Sequence, residues 1–195
     1  MPYLNLAQIR DCTEAEGPGK RFAIWCQGCA RNCKGCCNPH MQAFAAKHVV
    51  DTEDLKALIL QSKKQNGIEG VTFIGGEPML QAEGFADIAK WSHENDLTVL
   101  TFTGYLYQEL QNMHNPHVDA LLSNMDLLVD GPFVESLLDK ERDWIGSSNQ
   151  KLHFLTDRYM PGIEKANGAR RVECIITKDT IRMNGWPTKA FSENK

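Results

Sequence analysis

Arg21-Phe22-Ala23-Ile24-Trp25-Cys26 runs directly into Gln27-Gly28-Cys29-Ala30-Arg31-Asn32-Cys33-Lys34-Gly35-Cys36-Cys37-Asn38. The first six residues have the length and apolar character of a buried strand, and the rest form a cysteine-rich loop at its end. Three residues separate Cys29 from Cys33, and two separate Cys33 from Cys36. Three thiolates can hold three irons of a cubane iron-sulfur cluster, whereas complete ligation needs four. Such a set leaves one iron open to bind something else.

Two other readings of the cysteines compete with a cluster. A structural zinc site closes with four Cys or His ligands, and here His40 or Cys26 would supply the fourth. Disulfides fit less well, because the count of seven cysteines is odd, five of them crowd residues 26–37, and no signal peptide precedes them. The chain is therefore expected in a reducing cytoplasm. None of the six histidines shows a paired spacing that demands a metal.

Around this loop the chain reads as one α/β unit. Its 195 residues, 42% of them hydrophobic, suit a single domain with a real core. The formal net charge of -4, without a basic block, gives no support to a direct nucleic-acid partner, and no apolar run is long enough to span a bilayer. Short apolar runs at Val71 to Ile74, Leu97 to Phe102, Met125 to Asp130 and Val172 to Thr177 read as further strands. Between them, Thr52 to Lys64 and Ala82 to Asn95 have helical period, with Thr52 as the expected N-cap and Asn66-Gly67 as the expected stop. Strand, helix, strand, helix predicts parallel strands joined by crossovers. A full eight-unit barrel takes about 250 residues, so a partial, open barrel is expected, with its site at the C-terminal ends of the strands.

The cysteine loop, together with Gly17-Pro18-Gly19-Lys20-Arg21 ahead of it, resembles the radical S-adenosylmethionine (SAM) superfamily. Within that superfamily it is most similar to the small activating proteins of anaerobic ribonucleotide reductase. The resemblance implies an open, partial TIM-like (β/α) barrel and a 4Fe-4S cluster held by Cys29, Cys33 and Cys36, whose open iron binds SAM. It further implies reductive cleavage of SAM to methionine and a 5'-deoxyadenosyl radical, which abstracts hydrogen from a glycine of a partner enzyme. A glycyl-radical protein substrate and a low-potential electron donor of flavodoxin or ferredoxin type are the implied partners. In that family a glycine precedes the first ligand and an asparagine lies two residues beyond the last. Gly28 and Asn38 fit this register, leaving Cys26 and Cys37, like Cys12 and Cys174, as small hydrophobes.

Further strings carry the resemblance onto the strand ends. Gly75-Gly76-Glu77-Pro78 follows a strand, where glycines let backbone approach a ligand closely; in the superfamily this motif lies along the amino group of SAM. Thr103, in Thr101-Phe102-Thr103-Gly104-Tyr105, and Asp130, in Leu128-Val129-Asp130-Gly131-Pro132-Phe133, fall at places that lie near SAM or the partner's docking surface. Asp130 has an equal alternative in capping the next helix or satisfying loop amides. Ser148 and Asn149, in Trp144-Ile145-Gly146-Ser147-Ser148-Asn149-Gln150, match a late family segment and either reach SAM or close a turn. Arg21 is open to three roles: neutralising the cluster, pairing with a carboxylate, or orienting the loop.

The likeness covers about residues 11–150, which makes 151–195 a C-terminal extension of a single radical SAM domain spanning 1–195. Within the extension, Val172 to Thr177 with Ile181 to Met183 reads as an added hairpin or a last barrel strand, and Trp186 to Lys195 as a partly ordered tail. Two alternatives to an activase stay open. The extension would cover the barrel mouth in an enzyme acting on a peptide or small metabolite, and a metal-stabilised interaction module would cleave no SAM.

Overall fold

The apolar run Arg21–Cys26 is a strand over the same six residues, and it lies inside a seven-stranded sheet. The computed structural model describes residues 2–165 and 171–185. In chain order the strands are β1 (Tyr3–Thr13), β2 (Arg21–Cys26), β3 (His48–Asp51), β4 (Gly70–Gly75), β5 (Thr98–Phe102), β6 (Leu127–Asp130), β7 (Lys151–Phe154), β8 (Val172–Ile176) and β9 (Ile181–Gly185). The α-helices are α1 (Thr52–Asn66), α2 (Ala82–Glu94), α3 (Tyr107–Gln111) and α4 (Pro116–Leu122). The sheet runs β3-β1-β2-β4-β5-β6-β7, with β2, β4, β5 and β6 parallel. This is a mixed α/β fold built on a central sheet.

Alternation along the strands assigns the two faces. Phe22, Ile24 and Cys26 of β2, Val71 and Phe73 of β4, and Val99 of β5 share one fully buried cluster with Leu55 and Ile59 of α1 and Phe85 and Ile88 of α2. Ala23 and Trp25 pack on the opposite face with Ala7 and Met41, while Leu100, Leu127 and Val129 pack there with Ile145. Arg21 belongs to this second face and is 0% exposed. Its guanidinium donates to Thr72 Oγ1 (2.7 Å), Thr98 Oγ1 (3.0 Å), Tyr159 Oη (3.2 Å) and the carbonyls of Pro18, Val71 and Thr98. Its hydrogen-bond acceptors are neutral, and it stands at the start of β2 while the cysteines follow the end, roughly 16 Å along the strand. Of its three possible roles, the structure selects none: Arg21 ties β2, β4 and β5 together at the end of the sheet away from the cysteines.

Several sequence expectations need correction. The sheet is not wholly parallel, because β1 pairs antiparallel with β2, β3 with β1, and β7 with β6. β1 hides its alternation behind two register shifts, and β3 and β7 are only four residues each. The N-cap of α1 is Asp51, whose carboxylate accepts from Glu53 N (2.8 Å), so Thr52 is the first helical residue. Gly67 ends α1 with φ of 65°, as its glycine requires. Cys26 is buried as read and Cys12 is half-buried, but Cys37 and Cys174 are exposed.

The extension resolves in favour of a hairpin. β8 and β9 pair only with each other, outside the main sheet. Asn184 donates to Thr13 Oγ1 (2.8 Å) and accepts from Arg10 Nε (3.1 Å), Gly185 N donates to Glu16 Oε1 (2.7 Å), and Glu173 accepts from Glu14 N (2.7 Å). Since Thr13 pairs with Arg21, the hairpin docks at the end of the sheet opposite the cysteines. The described part of the extension therefore does not cover the expected barrel mouth; the tail at 186–195 lies outside the described residues.

Burial pushes the Glu16 carboxyl up to about 7 from its ordinary 4.5; Glu173 adds to the rise, while the bonds from Gly185 and Asn184 and the charge of Arg10 oppose it. Stability from the neutral acid is complete below 4.5 and is lost as pH rises through about 7. Between pH 5 and pH 8, wild type is expected to lose roughly 2–3 kcal/mol more than Glu16→Gln in urea unfolding. Equal losses in the two proteins would remove Glu16 as the source.

Candidate functional site

Because β2, β4, β5 and β6 are parallel, the loops after Cys26, Gly75, Phe102 and Asp130 all emerge at one end of the sheet. Hydrogen bonds sew the first three together. Gly76 N donates to Cys26 O (2.8 Å) and Glu77 N to Gly28 O (2.9 Å), which lays the Gly-Gly-Glu-Pro turn directly on the start of the cysteine loop. Approach is so close that a Cβ on Gly76 would stand 2.3 Å from Gly28 O. Gly75 has φ of 107°, a conformation that glycine alone adopts readily.

Glu77, 1% exposed, is the hub of this seam. Its Oε1 accepts from Met79 N (3.0 Å) and Thr103 Oγ1 (2.8 Å), and its Oε2 from Gly104 N (2.8 Å). Burial raises its pKa, and these three donors with the nearby Arg31 charge work against the rise. Arg31, between Cys29 and Cys33, stacks over the Tyr105 ring at 4.7 Å, a second tie between the cysteine loop and the end of β5. Pro78 opens a short 3-10 turn capped by Glu77, and Gln81 at the end of that turn donates to Asn5 O (3.1 Å) and Gln27 O (3.0 Å).

Within the loop, Arg31 N points at Cys29 Sγ (3.5 Å) and Asn38 N at Cys36 Sγ (3.4 Å), leaving each sulfur oriented by backbone. Cys29, Cys33 and Cys36 are all half-buried and free of disulfides. Burial pushes the Cys29 thiol up, the Arg31 N–H opposes this, and Glu77, Cys36 and Cys33 add to the rise. Among the described residues, no three His, Cys, Asp or Glu side chains stand in metal-holding geometry.

Other expected site residues are divided between this seam and the next loop. Thr103 is in the seam, 5% exposed, between Glu77 and Tyr105 N. Asp130 ends β6 and accepts from Tyr107 N (2.7 Å) and Lys151 N (3.2 Å), so its carboxylate is engaged with loop amides. Asn149 Nδ2 donates to Pro132 O (2.8 Å) and Gln150 Nε2 to Gly131 O (3.0 Å). Ser148 is exposed and its N donates to Leu137 O (2.7 Å). Ser148 and Asn149 thus brace the loop after Asp130 rather than join the Gly-Gly-Glu-Pro seam.

The family described as the 4Fe-4S single cluster domain matches residues 15–153. A protein of Vibrio cholerae named anaerobic ribonucleoside-triphosphate reductase-activating protein is 30% identical over 159 residues, covering 78% of this chain and 99% of its own. The chain belongs to this activating-protein family. A Haemophilus influenzae protein of the same name is 29% identical over 156 residues, covering 77% of this chain and 97% of its own. Among solved structures, QueE from Escherichia coli aligns with a TM-score of 0.42 at 20% identity, over 52% of this chain and 53% of that one.

As a member of the activating-protein family with a 4Fe-4S single cluster domain, the chain is an enzyme of 4Fe-4S chemistry. The seam's donor set fits such a group: three thiols in one loop, two with backbone N–H groups directed at sulfur, beside a turn too tight for any side chain at Gly76. Sequence reasoning missed Arg31, Tyr105 and Gln81. Only Arg31 carried a local signal, as a cation inside the cysteine spacing; the partners of Gln81 lie far away in the chain. Among the described residues, no helix is long and apolar enough to cross a membrane.

Proposed function

We propose that this chain reductively cleaves SAM and uses the resulting radical to generate a glycyl radical on a partner enzyme such as anaerobic ribonucleotide reductase. The observation that carries this reading is the seam: the cysteine loop and Gly-Gly-Glu-Pro are joined backbone to backbone, so a cluster and its ligand would be held by one rigid unit. In it, Cys29, Cys33 and Cys36 hold three irons and leave the fourth for SAM. The cluster supplies the electron and SAM the reactive group; the protein's part is to bind, orient and exclude water.

Each neighbouring residue has a defined task in that arrangement. Gly75, Gly76 and Pro78 give a flat backbone edge along which an amino group lies, and buried Glu77 fixes that edge to Thr103 and Gly104. Thr103 holds Glu77 from the β5 side, its hydroxyl donating to the Glu77 carboxylate. Asp130, Ser148 and Asn149 set the loop after β6, which frames the far side of the opening. Helices on one sheet face and a largely apolar second face support an open, partial barrel in a single domain over 1–195, acting in a reducing cytoplasm with a low-potential flavodoxin or ferredoxin as donor.

The hairpin's position supports a protein substrate, because among the described residues it docks at the end of the sheet away from the strand ends where a loop of a large partner would enter. Mixing the reduced, cluster-loaded protein with SAM and a purified anaerobic ribonucleotide reductase is expected to give a glycyl-radical signal in electron paramagnetic resonance. Deoxyadenosine formed without such a signal, across folded partners, would redirect the proposal to a peptide or small metabolite.

A further inference from the structure

Two cations stand inside the cysteine spacing, Arg31 between Cys29 and Cys33 and Lys34 between Cys33 and Cys36, and the fold treats them differently. Lys34 is exposed, whereas Arg31 is half-buried. The Arg31 guanidinium carbon lies 4.7 Å from the centre of the Tyr105 ring. Its stem crosses Gly104, where an added Cβ would stand 2.8 Å from Arg31 Cγ, 3.3 Å from Arg31 Nε and 3.4 Å from Glu77 Oε2. Gly104 thereby leaves room for the arginine beside the buried carboxylate.

Chain connectivity keeps that cation close to the thiols. Consecutive Cα atoms are about 3.8 Å apart, so Arg31 Cα lies within roughly 7.6 Å of the Cα atoms of both Cys29 and Cys33. Its own N–H points back at Cys29 Sγ (3.5 Å). Glu77 is close as well, since Glu77 N donates to Gly28 O (2.9 Å), the residue before Cys29. Burial raises the Glu77 pKa, and the charge of Arg31 is among the influences that oppose the rise. One restrained positive charge is thus set against one buried carboxylate at the head of the cysteine loop.

Resting on the reading that Cys29, Cys33 and Cys36 hold the cluster, we propose that Arg31, held on the Tyr105 ring, is a positioning residue that sets how readily that cluster is reduced. A low-potential reductant gives up one electron, which adds one negative charge at the cysteines; no proton or atom is transferred. Net charge and hydrogen bonds at the sulfurs are among the levers on such a potential, and a fixed cation favours the more negative state. Arg31 also offsets the Glu77 carboxylate, whose charge acts the opposite way. Stacking on Tyr105 keeps the guanidinium in place, partly shielded from solvent, where salt screens it less than a surface charge. The exposed Lys34, in the same loop, is screened.

The test is a redox titration of the cluster-loaded protein without SAM, poised with dithionite and mediators and read by electron paramagnetic resonance of the reduced cluster. Arg31→Gln is expected to lower the equilibrium constant for reduction about tenfold, which is about 59 mV for one electron. Arg31→Lys keeps the charge and should lie closer to wild type than Arg31→Gln does, within about threefold. Tyr105→Leu keeps Arg31 but removes its ring, and should lower the constant about threefold. Lys34→Gln should shift it by about twofold at most, and added salt should erase that shift while leaving most of the Arg31→Gln shift. Iron content checks loading in each variant; where Arg31→Gln holds no cluster, Arg31→Lys and Tyr105→Leu carry the comparison. An unshifted Arg31→Gln or Tyr105→Leu, equal shifts in Arg31→Gln and Arg31→Lys, or a Lys34→Gln shift as large as that of Arg31→Gln would overturn the proposal while leaving the cluster reading intact. A wild-type protein that assembles no cluster would overturn both.

Discussion

Cys29→Ala, Cys33→Ala and Cys36→Ala are each expected to lose 5'-deoxyadenosine formation by roughly a hundredfold or more after anaerobic reconstitution, because a cubane stripped to two protein ligands is not held. Cys26→Ala and Cys37→Ala should keep it. The geometry separates the two groups. Cys26 lies on the same side of β2 as Phe22 and Ile24, in the main core and 0% exposed, and burial drives its thiol well above the ordinary range. Turned toward the helices, it has no path to the loop's interior. Its truncation should cost only about 1 kcal/mol of stability, the scale of a small cavity. Cys37 follows Cys36 directly but is exposed. The sulfur of its neighbour Cys36 receives a backbone N–H, from Asn38. Iron content, visible absorbance and chromatography of deoxyadenosine together give the readout. Activity surviving in Cys33→Ala, or lost in Cys37→Ala, would break the assignment of the three ligands.

How much of this was legible before any coordinates follows from how local each signal is. β2 is local in sequence and in cause, an apolar run closed by the loop, and its bounds are the predicted ones. α1 and α2 carry their period within their own length. β1 does not: bulges between Leu6 and Gln8 and between Arg10 and Thr13 break its alternation, and its antiparallel pairing with β3 joins residues more than forty positions apart. Arg21 looked chemical because it preceded the cysteines, yet an extended strand carries six residues from one end of the sheet to the other. Asp130 offered two equal roles, and the donors from Tyr107 and Lys151 engage its carboxylate in the loop. The Arg31–Tyr105 stack and the Gln81 bridge exist only because separate strand ends meet, so no spacing within the chain announces them.

That meeting of strand ends makes Gly76 the most sensitive position outside the cysteines. Gly76→Ala is expected to weaken SAM binding by at least about tenfold and to cost roughly 2–4 kcal/mol of stability, from overpacking with no side chain able to yield. The new Cβ would stand 2.3 Å from Gly28 O, 2.9 Å from Gly28 C and 3.0 Å from Gly28 N, all backbone atoms of the loop that leads into Cys29. Relief requires the two segments to part. The bonds from Gly76 N to Cys26 O and from Glu77 N to Gly28 O would stretch, and a shift of about 1 Å between bound groups is enough to cost as much as a hundredfold in rate. Gly67→Ala is the matched control. Its φ of 65° strains any side chain, but nothing lies within 4 Å of the new Cβ, so it should cost about 1 kcal/mol and leave SAM binding alone. Equilibrium dialysis with SAM on the cluster-loaded proteins, alongside urea unfolding, separates the two effects. Should Gly76→Ala lose stability yet bind SAM as tightly as Gly67→Ala, the seam would be a folding contact only, and SAM would have to be held by groups away from Gly75, Gly76 and Glu77.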